Sequence, residues 1–263
     1  MRYSNVFKTV LILITIFSAS IFAQKQEVVK SVEDPDFKGS VESAEAYKAG
    51  LDFFDKEDYK SAIIQFDKSL ELVPNNPKVL FAKGLAYKNN KMTSYAIQSL
   101  EECVKADSLY EKAYSQLGSI FLVERQFEKS YSNYEKASNL DSTDYSNFYG
   151  MAKARFYGGK YLEAAKLFED IISMEKVQKR TSTKRKMYEF LLRAYLDAGD
   201  NSSVVNAYER DADNKRSKNG TAYYGEALYN SGNKQKALAV FEALAKKGHI
   251  AANQWVEKIK KEL

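Results

Sequence analysis

SAEAYKAGLDFFDKEDYKSAIIQFDKSLELVPNN, residues 43–76, holds the pattern that decides the fold. Gly50 is followed by Phe53, Ala62, Phe66 and Pro74, and Lys56-Glu57-Asp58 separates two short helical patterns. In the second pattern Tyr59, Ala62, Ile63, Phe66 and Leu70 recur at the spacing of one helical stripe. A helix pair of this size has an apolar face that it cannot bury alone, so copies of the unit should stack.

Copies follow. With Gly50 as a register mark, the equivalent positions are Gly84, Gly118, Ala152, Leu192 and Gly225, in steps of 34, 34, 34, 40 and 33 residues. Twelve residues past the marks stand Ala62, Ala96, Ser130, Ala164, Val204 and Ala237, all small or of modest size. Sixteen past stand Phe66, Leu100, Tyr134, Phe168, Tyr208 and Phe241, all large. Small residues allow close helix approach, and large ones fill the space left. Three past the marks come Phe53, Tyr87, Phe121, Arg155, Tyr195 and Leu228, where Arg155 departs from the pattern and Phe156 beside it is expected to compensate.

This register resembles the tetratricopeptide repeat, a 34-residue unit with W-x2-L-G-x2-Y, then A-x3-F, then P. The resemblance runs over residues 43–250. The tryptophan is replaced by Ala46, Leu80, Tyr114, Phe148, Tyr188 and Thr221, and the proline persists only as Pro74. It implies an all-α fold: a right-handed α-α superhelix of about six helix-turn-helix repeats, at 43–76, 77–110, 111–144, 145–178, 185–217 and 218–249. Residues 250–263 read as a capping helix, with Ala252, Trp255, Val256, Ile259 and Leu263 on one face and Trp255 packed on the sixth repeat. A helical array needs such a terminal element.

Composition agrees with a helical chain. Of 263 residues, 44% are hydrophobic and 29% charged, with three prolines and 12 glycines. Before the array, Arg2 and Lys8 precede an apolar run from Val10 to Phe22, and Ala19, Ser20 and Ala23 supply small residues. That is the layout of a secretory signal peptide with cleavage between Ala23 and Gln24, too short to span a bilayer comfortably. The expectation is an exported protein, periplasmic or secreted, with residues 24–42 as a flexible lead-in and no stable membrane span after cleavage. Gln24 is not the cysteine a lipid anchor needs. Removing residues 1–23 lowers the net charge from +5 to +3, a near balance that does not suggest nucleic acid.

Chemistry-bearing motifs are sparse. His249 and Cys103 are the only residues of their kinds, too few for a usual zinc site, and Cys103 falls at a core position. There is no HExxH, CxxC or Gly-rich phosphate loop. No catalytic, cofactor-binding or metal-binding residue is expected, and no cofactor. The resemblance implies instead that partners bind in a concave groove lined by the first helix of each pair. In this chain that face carries Tyr47, Leu51, Phe54, Phe81, Leu85 and Lys88, then Lys112 and Leu122, then Tyr149, Lys153, Phe156 and Tyr157. Apolar and aromatic anchors with lysines among them suit a peptide or helix of some acidic character. Carboxylate clamps of co-chaperone repeats use Lys, Asn and Arg at set positions, two of which are Tyr47 and Leu51 here. The junction between the fourth and fifth repeats is basic, through Lys176, Lys179, Arg180, Lys184, Arg185 and Lys186, and reads as a solvated loop with extended helix ends or a patch for an anionic partner. The functional expectation is a non-catalytic exported scaffold for a protein or peptide partner, involved in envelope complex assembly. An accessory protein or enzyme acting on cell-wall polymer is the alternative.

Overall fold

In the computed structural model, residues 37–174, 177, 179, 181–210 and 217–263 are described, and they form thirteen α-helices and no strand. The chain divides into two compact units, up to Ala113 and from Tyr114 onward. The signal-peptide layout, its cleavage site, Lys176 and Arg180 lie outside the described residues.

The first unit holds two hairpins: α1 (Val41–Asp55) with α2 (Tyr59–Leu72), and α3 (Pro77–Asn89) with α4 (Thr93–Ala106). α5 (Glu111–Val123) begins just before the division. With α6 (Phe127–Leu140) it forms the third hairpin, and α7 (Tyr145–Tyr157) with α8 (Tyr161–Ser173) the fourth. The fifth pairs α9 (Thr181–Asp197) with α10 (Asn201–Arg210), and the sixth α11 (Lys218–Asn230) with α12 (Lys234–Lys246). α13 (Ala252–Lys260) packs on α12.

The register marks are the places where two helices of a hairpin touch most closely. A Cβ added at Gly50 would lie 2.4 Å from the Phe66 ring, at Gly84 2.8 Å from Leu100, and at Gly118 2.8 Å from Tyr134. The large residue sixteen positions on is therefore a plug seated on the glycine of its own hairpin. Phe66, Leu100, Phe168 and Phe241 are fully buried. Gly150, two residues before the fourth mark, receives the other side of Tyr134, with a built Cβ 2.5 Å from the ring. A buried serine pair closes the open end of the first hairpin, Ser43 Oγ donating to the Ser69 carbonyl (3.1 Å) and Ser69 Oγ to the Ser43 carbonyl (2.8 Å).

Each hairpin turns through one left-handed residue: Glu57 (φ 60°), Lys91 (61°), Arg125 (58°), Gly159 (78°), Gly199 (76°) and Gly232 (80°). All six stand seven residues past their marks, including the divergent fifth repeat. Glycine adopts this conformation without the Cβ clash that a side chain brings, yet the first three turns use a charged residue.

Four expectations need correction. The array begins at Val41, because Ser40 caps α1 by accepting from the Ser43 amide at 3.1 Å. The last part of the lead-in is packed rather than loose: Phe37 stacks on Tyr47 at 5.1 Å, and Asn76 Nδ2 donates to the Lys38 carbonyl at 2.8 Å. The fifth hairpin starts at Thr181 rather than at 185, so Lys184, Arg185 and Lys186 lie in the extended helix end that the sequence reading included. The terminal helix stops at Lys260, which leaves Leu263 beyond it and 62% exposed. Trp255 does pack on the sixth hairpin, parallel to Phe241 at 5.0 Å.

Arg155 is not compensated by Phe156. Its guanidinium lies 3.5 Å above the Tyr131 ring and pairs with Glu128 (2.9 Å) and Glu163 (3.0 Å), so the cation itself fills the place of the aromatic residue. Lys160 also reaches Glu128, at 3.0 Å. These two cations hold the Glu128 carboxyl below its usual range, with the Lys160 contact the larger cause. Phe156 points elsewhere, edge-on to Phe190 at 5.9 Å.

Candidate partner-binding site

The first helices of the hairpins carry the predicted groove residues, and the two units treat them differently. In the first unit the aromatics are taken up by packing. Tyr47 lies under Phe37 and against Phe66 (5.9 Å), Leu51 joins the same cluster, and Phe54 meets Tyr59 edge-on at 5.3 Å. Phe81 tilts against Tyr110 at 5.1 Å. Leu85 and Lys88 are half-buried, and burial pulls the Lys88 ammonium below its usual pKa. Lys112 is exposed.

In the second unit the predicted residues converge on two clefts that share α7. One, of about 460 Å³, is lined by Leu122, Val123, Arg125, Phe127, Lys153 and Tyr157. Val123 is 77% and Tyr157 50% exposed, so apolar surface stands open beside two cations. The other, of about 350 Å³, is lined by Phe156, Glu189, Phe190, Arg193, Asp197 and Tyr223. Tyr149 lies close to both sets. Lys153 Nζ is 5.3 Å and Lys186 Nζ 5.7 Å from the centre of its ring, which also meets Phe190 edge-on at 5.8 Å.

The clefts differ in charge. In the smaller one Arg193 is held by Asp197 through contacts of 2.9 and 2.8 Å, and Glu189 accepts from the Ser217 hydroxyl. Its charged groups are therefore already partnered, and the walls are aromatic. Among the described residues no acid lines the larger one. Burial, and then the neighbouring Lys186 ammonium, lowers the pKa of Lys153. Burial first, and then Tyr157, pushes the Tyr149 phenol up to about 12.

Of the basic stretch, Lys179 is exposed, Lys184 approaches the Tyr188 ring at 6.0 Å, and Lys186 turns to Tyr149. Cys103 is buried, donates to the Pro77 carbonyl at 3.2 Å, and has its thiol pushed up to about 12, chiefly by burial. A thiol so protonated is a poor nucleophile. Among the described residues no helix is long and apolar enough to cross a membrane.

Sequence stepping along the first-helix face missed Arg125, Phe127, Phe190, Asp197 and Tyr223. Phe190 and Tyr223 stand two residues before their marks, a signal present in the register. Arg125 is a turn residue and Phe127 opens a second helix, so neither lies on the face that was followed.

Comparison with known proteins agrees with this repeat architecture. A family model described as tetratricopeptide repeat matches residues 77–108, the span of α3 and α4. The chain carries tetratricopeptide repeats. Heat shock protein STI1 of Saccharomyces cerevisiae is 33% identical over 104 residues, 39% of this chain and 18% of that protein. The chain spans less than a third of the length of the curated relatives it matches. Among solved structures, MamA is similar with a TM-score of 0.57 at 22% identity, covering 74% of this chain and 94% of that one. A tetratricopeptide repeat protein from Parabacteroides merdae gives 0.52 at 16% identity, covering 93% and 97%. At these identities the structural likeness speaks for the fold alone, and it agrees with the all-α repeat architecture.

Proposed function

We propose that this protein is a non-catalytic, exported scaffold that holds a protein or peptide partner against the first helices of its second unit, in the assembly of an envelope complex. One observation carries the reading: α7 is flanked by two clefts, one where exposed Val123 and Tyr157 stand beside half-buried Lys153 and exposed Arg125, the other walled by half-buried aromatic rings. Surface of that kind is where peptides with apolar anchors dock. The tetratricopeptide family and the likeness to Hsp70-Hsp90 organizing protein 2 of Arabidopsis thaliana support a role in protein–protein interaction. Export rests on the charged start and apolar run of residues 1–23.

Affinity capture with the full chain from envelope extracts tests the binding role. The double variant Tyr149→Ala/Tyr157→Ala should lose captured partners while keeping its helical circular dichroism. Unchanged partners would remove the groove assignment. Fractionation with N-terminal sequencing tests export: the protein should be found outside the cytoplasm and begin at Gln24, and an intact Met1 in the cytoplasm would overturn that part.

A further inference from the structure

The two clefts beside α7 make different demands on whatever fills them, and the difference names the class of occupant. This inference rests on the groove reading above.

In the larger cleft Lys153 is half-buried, and its ammonium shares the Tyr149 ring with that of Lys186. Neither lysine has a carboxylate partner among the described residues, and neither does Arg125 of the same cleft as Lys153. Two other partly buried cations are matched: Arg155 with two glutamates and Lys83 with Asp67 at 2.6 Å. Holding two like charges over one ring, with one of them partly desolvated, costs stability unless an anion completes the set. Around the cations stand Leu122, Val123 and Tyr157, which offer an apolar contact within reach of the same anion. The smaller cleft has no such deficit. With Arg193 and Glu189 already bonded, Phe156, Phe190 and Tyr223 leave a slot for an uncharged apolar side chain.

We propose that the partner segment is a peptide in which an Asp or Glu beside an aliphatic or aromatic residue enters the cleft of Lys153 and Arg125, with Lys186 sharing its charge, while a second, uncharged apolar side chain enters the cleft of Phe156, Phe190 and Tyr223. The carboxylate is a side chain within the segment, since charge and an adjoining apolar group are what the cleft walls supply, and a chain terminus is not required. Desolvated charge pairs of this kind favour affinity as well as orientation, because the ammonium exchanges an unmatched partly buried state for a paired one.

An array of peptides blocked at both ends tests this. One series places Glu or Asp next to Leu or Phe, with a second apolar residue several positions away. A second series has Gln and Asn in place of the acids, and a third has Lys. The full chain should be retained by acidic members at least tenfold more strongly than by their amide or lysine counterparts, and the preference should shrink as NaCl is raised. Lys153→Gln combined with Lys186→Gln should abolish the preference with unchanged circular dichroism, and Lys153→Arg should keep it. Lys68→Gln, which removes the same charge from an exposed position of α2, should change nothing. Equal retention of all three series, or an acid preference that survives the double substitution, overturns the proposal. So does retention on phosphatidylglycerol vesicles with none on any peptide, which would assign the cations to a membrane surface. If no peptide series is retained while the full chain still captures protein partners, the occupant class is wrong and the scaffold reading stands; if capture fails as well, both fall.

Discussion

The first and fifth hairpins obey the same register and close themselves differently. In the first, Gly50 leaves room and Phe66 sits in it, so the plug belongs to the hairpin that carries it. In the fifth, the mark is Leu192, itself fully buried, and that space is already filled. Tyr208, the corresponding large residue, turns instead to the sixth hairpin. It stacks on Tyr224 at 4.3 Å, and its hydroxyl lies 2.9 Å from that of Thr221. Tyr134 shows the intermediate case, touching Gly118 in its own hairpin and Gly150 in the next. A large residue at this position can thus tie a hairpin shut, tie it to its neighbour or do both, and a large mark residue such as Leu192 goes with the outward choice. The turn does not share this freedom: seven residues past the mark, Glu57 and Gly199 both take the left-handed conformation.

The largest expected effect separates the two kinds of plug. Phe66→Ala should cost about 4 kcal/mol in urea denaturation, with hydrogen exchange accelerated chiefly in α1 and α2. Tyr208→Ala should cost about 3 kcal/mol and expose α11 together with α10. Loss of protection confined to α10 would contradict the shared role of Tyr208. Gly50→Ala comes next, at about 2 kcal/mol, because the new methyl would overlap a ring that has nowhere to move. Leu192→Ala should instead act as a cavity and be partly rescued by small apolar cosolutes, which Gly50→Ala would not be.

The turns give smaller shifts of opposite sign. Gly199→Ala should destabilise by about 1 kcal/mol, and Glu57→Gly should stabilise by about 0.5 kcal/mol, because the relief of the left-handed side chain exceeds the added entropy of the unfolded chain. Destabilisation at both positions would mean that Glu57 makes a contact that offsets its conformation. The smallest effect is electrostatic. Burial raises the pKa of Glu226 in the sixth hairpin, against the pull of Arg193. A carboxyl with a raised folded-state pKa favours the fold when protonated, and that contribution is lost as pH rises through the raised value. Glu226→Gln should therefore stabilise slightly at pH 7, with the gain fading toward pH 4, as thermal melts across that range would read.

Much of this fold was legible because its determinants are periodic. The marks, the small residues twelve on and the plugs sixteen on recur at fixed distances, and each reports a contact inside one hairpin. What escaped was set by pairs with no period. The Arg155 clamp depends on Glu128 and Tyr131, more than twenty residues away, and nothing in a single repeat signals that a guanidinium can stand where a ring is expected. Phe37 is a lone aromatic in a polar stretch, and its seat on Tyr47 is visible only once α1 is folded. The groove was half legible for a related reason: spacing assigns a residue to a face, but whether Tyr47 or Tyr157 stays open on that face depends on a neighbour from another element.

The packing of Phe37 bears on how such an array could lengthen. A hairpin added ahead of α1 would need the Tyr47 face for its own stacking, and it would have to displace both the Phe37 ring and the Asn76 bond to the Lys38 carbonyl. Duplication of a unit is cheap where the donor and recipient faces match, as they do between internal hairpins. At this end the face is already occupied by a four-residue strap, so growth by simple duplication is disfavoured there, and a fragment begun at Ser43 would expose the very surface on which an unwanted second copy could stack.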